Sequence, residues 1–222
     1  MLTKRTIQLG DYNTATHGWT LASLELAEPL PVTNYVDVPG RLKGPLDLST
    51  ALTGTPVYNS RDLYVALEIS SGTRQERETK IADLTNRLHG QRVEIIHPDR
   101  PLHYAVGRLS VTRLYNDHAH GAVEITGTCE PWLYVREATR VDLVVESTLM
   151  VKLLNRGAMP VVPTLEVYGR LGITYNGSRI FFTTGKYEWP ELYLTPGEHE
   201  IELDTEDKDA QLILTYREAV LR

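Results

Sequence analysis

Between Val36 and Tyr58 the chain carries more turn formers than any regular element tolerates, and this constrains the fold more than any other feature. Pro39-Gly40 and Gly44-Pro45 are turn dipeptides, and Gly54 with Pro56 punctuates a third bend. Proline fixes φ and lacks an amide hydrogen, and glycine admits left-handed backbone, so the stretch is neither continuous helix nor continuous strand. It lies between two strand-like runs and has to travel a long way. Excursions of that length serve binding or assembly.

Around it the chain reads as strands. Trp19 to Leu26 alternates loosely and stops at Glu28-Pro29-Leu30-Pro31. Leu63, Val65, Leu67 and Ile69 alternate with Tyr64, Ala66 and Glu68, the period of a half-buried strand. One helix interrupts this pattern. Thr73 and Glu76 have capping-box spacing, Ile81, Leu84 and Leu88 recur on one face, and Gly90 sits where a left-handed C-terminal cap belongs. Its apolar stripe is narrow and the rest is charged, so it should lie on one side of a sheet. Arg92 to His97 and Leu102 to Leu114 form a hairpin about His97-Pro98-Asp99-Arg100-Pro101. Apolar parity changes from Tyr104 and Val106 to Leu109 and Val111, which places a β-bulge at Gly107-Arg108. Asn116 to Gly121 turns the chain into a strand over Val123 to Cys129.

Beyond Pro131-Trp132 the texture shifts to shorter strands, and a domain boundary is placed near Tyr134 to Arg140, giving domains 1–135 and 136–222. Val141, Leu143 and Val145 alternate, as do Leu149, Val151 and Leu153. Asn176-Gly177 is a type I′ hairpin signal that pairs Tyr175 with Ser178, Ile173 with Ile180 and Leu171 with Phe182. After Pro196-Gly197, His199, Ile201 and Leu203 face one way, and Glu198, Glu200, Glu202 and Asp204 face the other as a solvated stripe that discourages edge pairing. Gln211 to Arg217 is the last strand, which either completes the second domain or returns to the first. The expected fold is mainly β: an α+β N-terminal domain with one helix packed on a β-sandwich, then a C-terminal sandwich of jelly-roll type.

Eight runs in order carry a family resemblance. They are Val38-Pro39-Gly40-Arg41, Gly44-x-Leu46-Asp47-Leu48-Ser49, Leu52-Thr53-Gly54, and Val57-Tyr58-x-x-Arg61-x-Leu63, followed by Leu88-His89-Gly90, Tyr104 to Gly107-Arg108, Cys129-Glu130-Pro131-Trp132 and Leu214-Thr215-Tyr216-Arg217-Glu218-Ala219. In this order they resemble the distal tail proteins of siphophages, called Dit. Leu42-Lys43 departs from the family, which often has a shorter turn there. The resemblance implies a galectin-like C-terminal domain and a structural protein of the phage tail tip, or baseplate hub. Its N-terminal domain would form a hexameric ring with a channel for DNA, joining the tail tube to the tail-tip and receptor-binding apparatus. The implied partners are further copies of the chain, the major tail tube protein, a tail-associated lysin or tail-fibre hub, and a receptor-binding protein. The implied place is the virion, after synthesis in the host cytoplasm, with a role in host attachment. Val36 to Tyr58 and the hairpin Arg92 to Leu114 are the candidate subunit contacts.

Composition is compatible with this. A chain of 222 residues with 41% hydrophobic and 23% charged residues is large enough for one or two cored domains. The net charge of -6 argues against a surface that coats or reads nucleic acid and suits a conduit that DNA must not stick to. No apolar run reaches the roughly 18 residues of a membrane span, and Met1 to Gln8 holds no apolar core of a signal peptide. The single cysteine, Cys129, excludes an internal disulfide and reads as a packed thiol.

Chemistry is sparse. His118-Ala119-His120 lacks a third metal ligand at useful spacing, and His97 and His103 flank a surface turn. Asp204, Glu206, Asp207 and Asp209 lack the spacing and glycine of an EF-hand. No Gly-x-Ser-x-Gly, His-Glu-x-x-His or P-loop occurs. No catalytic, cofactor-binding or metal-ligating residue is assigned, and the chain is expected not to be an enzyme. The rival reading is a carbohydrate-binding adhesion module with Trp189, Tyr187 and Tyr193 as a stacking platform. Against it, the chain lacks the His-x-Asn-x-Arg and Trp-x-x-Glu-x-Arg pair by which galectins hold galactosides.

Overall fold

A computed structural model describes residues 6–40, 43–207 and 210–222. Met1 to Arg5, Arg41, Leu42, Lys208 and Asp209, on which parts of the reading above fall, lie outside the described residues. The chain divides into two compact units, Met1–Leu133 with Leu221–Arg222, and Tyr134–Val220.

The first unit is built from β1 (Gln8–Leu9), β2 (Tyr12–Asn13), β3 (Thr20–Leu26), β4 (Tyr35–Val36), β5 (Leu46–Asp47), β6 (Arg61–Ile69), α1 (Arg74–Leu88), β7 (Arg92–Ile96), β8 (His103–Asn116) and β9 (Gly121–Cys129). Its sheet runs in the order β2-β1-β7-β8-β9-β6-β3. Along β6, Leu63, Val65, Leu67 and Ile69 are buried while Asp62, Tyr64 and Glu68 are exposed. The spine is the nine-residue antiparallel match of β6 with β9, from Arg61↔Cys129 to Ile69↔Gly121.

The helix starts where its sequence says it should. The Thr73 hydroxyl accepts from the Glu76 amide and the Glu76 carboxylate accepts from the Thr73 amide, so two otherwise unpaired amides are satisfied. It ends at Gly90, whose φ of 77° a side chain would resist. Ile81, Leu84 and Leu88 are buried, and the helix packs on β8 and β9. Each contributes roughly 1.5–3 kcal/mol by burial. Arg77, on the same stripe, is buried as well and fully bonded: it donates to Asn116 Oδ1 at 3.2 Å, Gly72 O at 2.6 Å and Asp117 O at 2.8 Å. That network ties the helix to the β8–β9 turn.

The bulge is not at Gly107-Arg108. The ladder runs unbroken through Gly107↔Cys129 and Arg108↔Thr128, and the register shifts between Arg113 and Tyr115. Ala105, Gly107, Leu109 and Val111 form one inward row, and the apparent change of parity arises because Tyr104 of the opposite row is buried too. Gly107 is required by space: a Cβ there would stand 2.4 Å from Cys129 Sγ.

The second unit contains β11 (Thr139–Val145), β12 (Leu149–Asn155), β13 (Thr164–Tyr168), β14 (Leu171–Tyr175), β15 (Ser178–Phe182), β16 (Gly185–Glu188), β17 (Gly197–Asp204) and β18 (Ala210–Tyr216). β10 (Leu133–Val135), at whose first residue the units divide, pairs with β19 (Ala219–Val220). The sheets β11-β18-β13-β16 and β12-β17-β14-β15 have the strand order of a jelly roll. Between them Leu153, Leu165, Val167, Leu171, Ile173, Ile201, Leu203, Leu212 and Leu214 form the core. The Asn176-Gly177 hairpin has the expected register, Tyr175↔Ser178 to Leu171↔Phe182, with both turn residues at positive φ. The last strand, β18, lies between β11 and β13.

One expectation fails here. The acidic stripe does not guard an edge, because β17 is an inner strand flanked by β12 and β14. Cations of the same sheet offset its charge instead: Lys152, on β12, lies 3.9 Å from Glu198 and 3.7 Å from Glu200, and Arg179, on β15, lies 2.5 Å from Asp204.

Candidate assembly surface

The segment from Leu30 to Asn59 leaves the first unit as a two-stranded arm. At its root Pro31 bridges Tyr58, the Val32 amide donates to Val57 O at 2.8 Å and the Asn59 amide donates to Leu30 O at 2.9 Å. Further out, β4 and β5 pair as Tyr35↔Asp47 and Val36↔Leu46. Ser49 locks this pairing: its hydroxyl accepts from the Asn34 amide at 2.9 Å and donates to Asp47 Oδ1 at 2.5 Å. The same hydroxyl and the Ser49 amide hold the Asp47 carboxyl below the usual carboxylate range. Between Ser49 and Gly54 a turn is closed by the Gly54 amide on Thr50 O at 2.8 Å.

The arm's backbone hydrogen bonds run within the arm, and most of its described side chains are exposed. Eight of the twenty-one large apolar residues that are exposed among the described residues lie on it: Leu30, Val32, Tyr35, Val36, Val38, Leu46, Leu52 and Val57. Leu30 is 69% exposed, and Leu52 fully so. A Cβ added at Gly40, Gly44 or Gly54 would meet nothing within 4 Å, so no part of the body stands over these bends. An isolated two-stranded ribbon is marginal in water, and a contiguous exposed apolar surface of this kind marks an interaction site.

The root is where runs far apart in sequence come together. Tyr58 packs edge-on against Trp132, with ring centroids 5.6 Å apart. Arg61 is buried, and its Nη2 donates to Pro131 O and to Leu221 O, the latter at 2.8 Å. Burial lowers its pKa. Cys129 fills the space that Gly107 leaves, the Glu130 amide donates to Val106 O at 2.8 Å, and Arg92 pairs with the Glu130 carboxylate. Leu88-His89-Gly90 meets the same strand, for His89 Nδ1 lies 3.1 Å from the Val111 amide and Arg108 donates to Gly90 O. In the second unit the closing run has an equivalent job: Arg217 donates to Val135 O at 2.8 Å and Arg136 O at 2.6 Å, and the Tyr216 hydroxyl to Leu154 O at 2.8 Å.

The residues weighed for chemistry are scattered. His118 and His120 are exposed on a turn shaped by Asp117, whose carboxylate accepts from the Ala119 and His120 amides. His97 Nδ1 accepts from the Asp99 amide at 3.1 Å. Asp204 pairs with Arg179, and Asp207 accepts from the Arg170 amide at 2.6 Å. Among the described residues no three His, Cys, Asp or Glu side chains converge as metal ligands. The stacking platform is taken apart: Trp189 is buried, 6.0 Å from the Phe182 ring in the sandwich core, while Tyr193 is exposed and Tyr187 half-buried. An indole between two sheets cannot receive a sugar. Burial pushes the Cys129 thiol up to about 11, so it stays protonated and unreactive. The buried, bonded roles of Arg61, which the family run names, and of Arg77 escaped the sequence reading. Arg77 had a signal, four residues before Ile81 on the buried stripe; Arg61 had none, since its partners lie far along the chain.

No protein-family model matches this sequence, and no curated protein does. Solved structures do. That of SPP1 Dit aligns with a TM-score of 0.67 over 96% of this chain and 98% of that one, at 16% identity. This chain has the Dit fold. SPP1 Dit is described as a paradigm of the hub adsorption apparatus in phages that infect Gram-positive bacteria. A designed double-stranded β-helix, with a TM-score of 0.27 over 37% of this chain, carries no argument. The resemblance to Dit proteins read from the sequence and the likeness of fold arise independently and agree. No helix among the described residues is long and apolar enough to cross a membrane.

Proposed function

We propose that this chain is a structural, non-enzymatic protein of a phage tail tip that assembles as a closed ring of six copies. The observation that carries the reading is the arm: a self-bonded ribbon with eight bare apolar side chains, rooted on a unit that already has a complete core. A neighbouring copy is the simplest cover for it, and one repeated head-to-tail contact closes a ring when its rotation allows. The fold shared with SPP1 Dit supports the hub role. In this reading residues 1–135 form the ring, joined to the tail tube on one side and to the tail-tip and receptor-binding proteins on the other, with a DNA channel through the middle. Residues 136–222 form the appended galectin-like sandwich. The protein resides in the virion of a siphophage and takes part in host attachment. Light scattering and negative-stain imaging of the purified protein are expected to show six-membered rings. Monomer alone at tens of micromolar, with or without tail partners, would refute the reading.

A further inference from the structure

A head-to-tail ring needs a second patch on each copy to receive the arm of the next. On the body of the first unit the exposed large apolar residues among those described are Tyr64, Leu102, Leu114 and Tyr115. Leu102, 72% exposed at the turn between β7 and β8, lines a recess of about 340 Å³ with Arg100, Pro101, His103, Asp99 and Arg222. At the recess beside Tyr64 the Arg108 guanidinium is already bonded to Gly90 O. At the β7–β8 turn the Arg100 guanidinium has no ion pair among the described residues.

The arm offers a face with the matching chemistry. The register Tyr35↔Asp47 puts these two side chains on one side of the ribbon, and Asp37, exposed, follows one residue beyond the end of β4. Tyr35 is 61% exposed, and the hydrogen bonds from Ser49 keep Asp47 ionised. An aromatic ring flanked by two carboxylates fits an apolar floor of Pro101 and Leu102 flanked by arginine. The recess sits beside the root of its own arm, because Arg222 lies 3.3 Å from Glu28. From Pro31 at the root to Tyr35 the chain spans about 13 Å when extended, so Tyr35 points outward from the root beside its own recess.

We propose that Tyr35 of one copy seats on Pro101 and Leu102 of the next, with Asp37 and Asp47 facing Arg100. This rests on the ring reading and adds to it the contact that propagates the ring.

The test uses the full chain. R100E and D37K are each expected to weaken ring formation at least tenfold in sedimentation or mass photometry, and the double variant to recover most of the loss. Under mild oxidation, Y35C/L102C is expected to give a covalent ladder up to the ring, while either single cysteine variant gives none, Cys129 being buried. Rings of Y35C/L102C that give no ladder, or a charge swap that restores nothing, overturn this docking and leave the ring standing. Wild-type protein that never assembles overturns the ring itself.

Discussion

Gly107→Ala tests how the root of the arm is held. The new Cβ would stand 2.4 Å from Cys129 Sγ and 3.1 Å from both Cys129 Cα and Thr128 O. Ordinary contacts begin near 3.5 Å, so about 1 Å has to be found between two hydrogen-bonded strands. Overpacking of this kind costs about 2–3 kcal/mol. Cys129→Ala alone removes one buried sulfur and costs about 1 kcal/mol. Were the two effects independent, the double variant would lose about 3–4 kcal/mol. Removal of Sγ abolishes the worst contact and leaves two that a shift of a few tenths of an ångström relieves, so the double variant is expected to lose only about 2 kcal/mol. The favourable coupling is then about 1–2 kcal/mol. Urea unfolding followed by tryptophan fluorescence, in which Trp19 and Trp132 report the first unit and Trp189 the second, reads these values. Additive losses would refute the account, for they would mean that Gly107 is held by backbone conformation and not by the sulfur.

Three further outcomes are expected. Cys129 should not react with a thiol reagent at pH 8 in the native protein and should react fully in urea, because burial raises its pKa to about 11. Polar replacement of Val36, Leu46 and Leu52, all exposed on the arm, should leave the stability of the unassembled chain within about 0.5 kcal/mol while abolishing ring formation. Hydrogen bonds hold the carboxyls of Asp47, Glu76 and Asp117 below their usual range, so the stability they add is present above about pH 4 and is lost as pH falls through their lower folded values. Thr73→Ala removes the cap hydroxyl but keeps the Thr73 amide, the strongest influence on Glu76, so it should cost about 1 kcal/mol at pH 7 while most of the difference in urea midpoint between pH 7 and pH 3 remains.

Much of the local structure was legible in the residues themselves. The capping box at Thr73, the left-handed Gly90, the alternation along β6 and the Asn176-Gly177 register each depend on neighbours within a few positions, and backbone sterics or a single hydrogen bond decides them. The turn formers of the arm likewise declared that it was no regular element. What only the tertiary structure decided concerns neighbours distant along the chain. Gly107 looked like a bulge because a period-2 pattern cannot say that Cys129, twenty-two residues on, occupies its side-chain space. The Glu198 to Asp204 stripe looked like an edge because charge alternation is the same on inner and outer strands, and only β12 and β14 make it inner. Trp189 looked available for stacking until the second sheet closed over it. Arg61, whose partners are the carbonyls of Pro131 and Leu221, had no local pattern at all, since a guanidinium becomes an internal tie only where the folded backbone brings those acceptors to it.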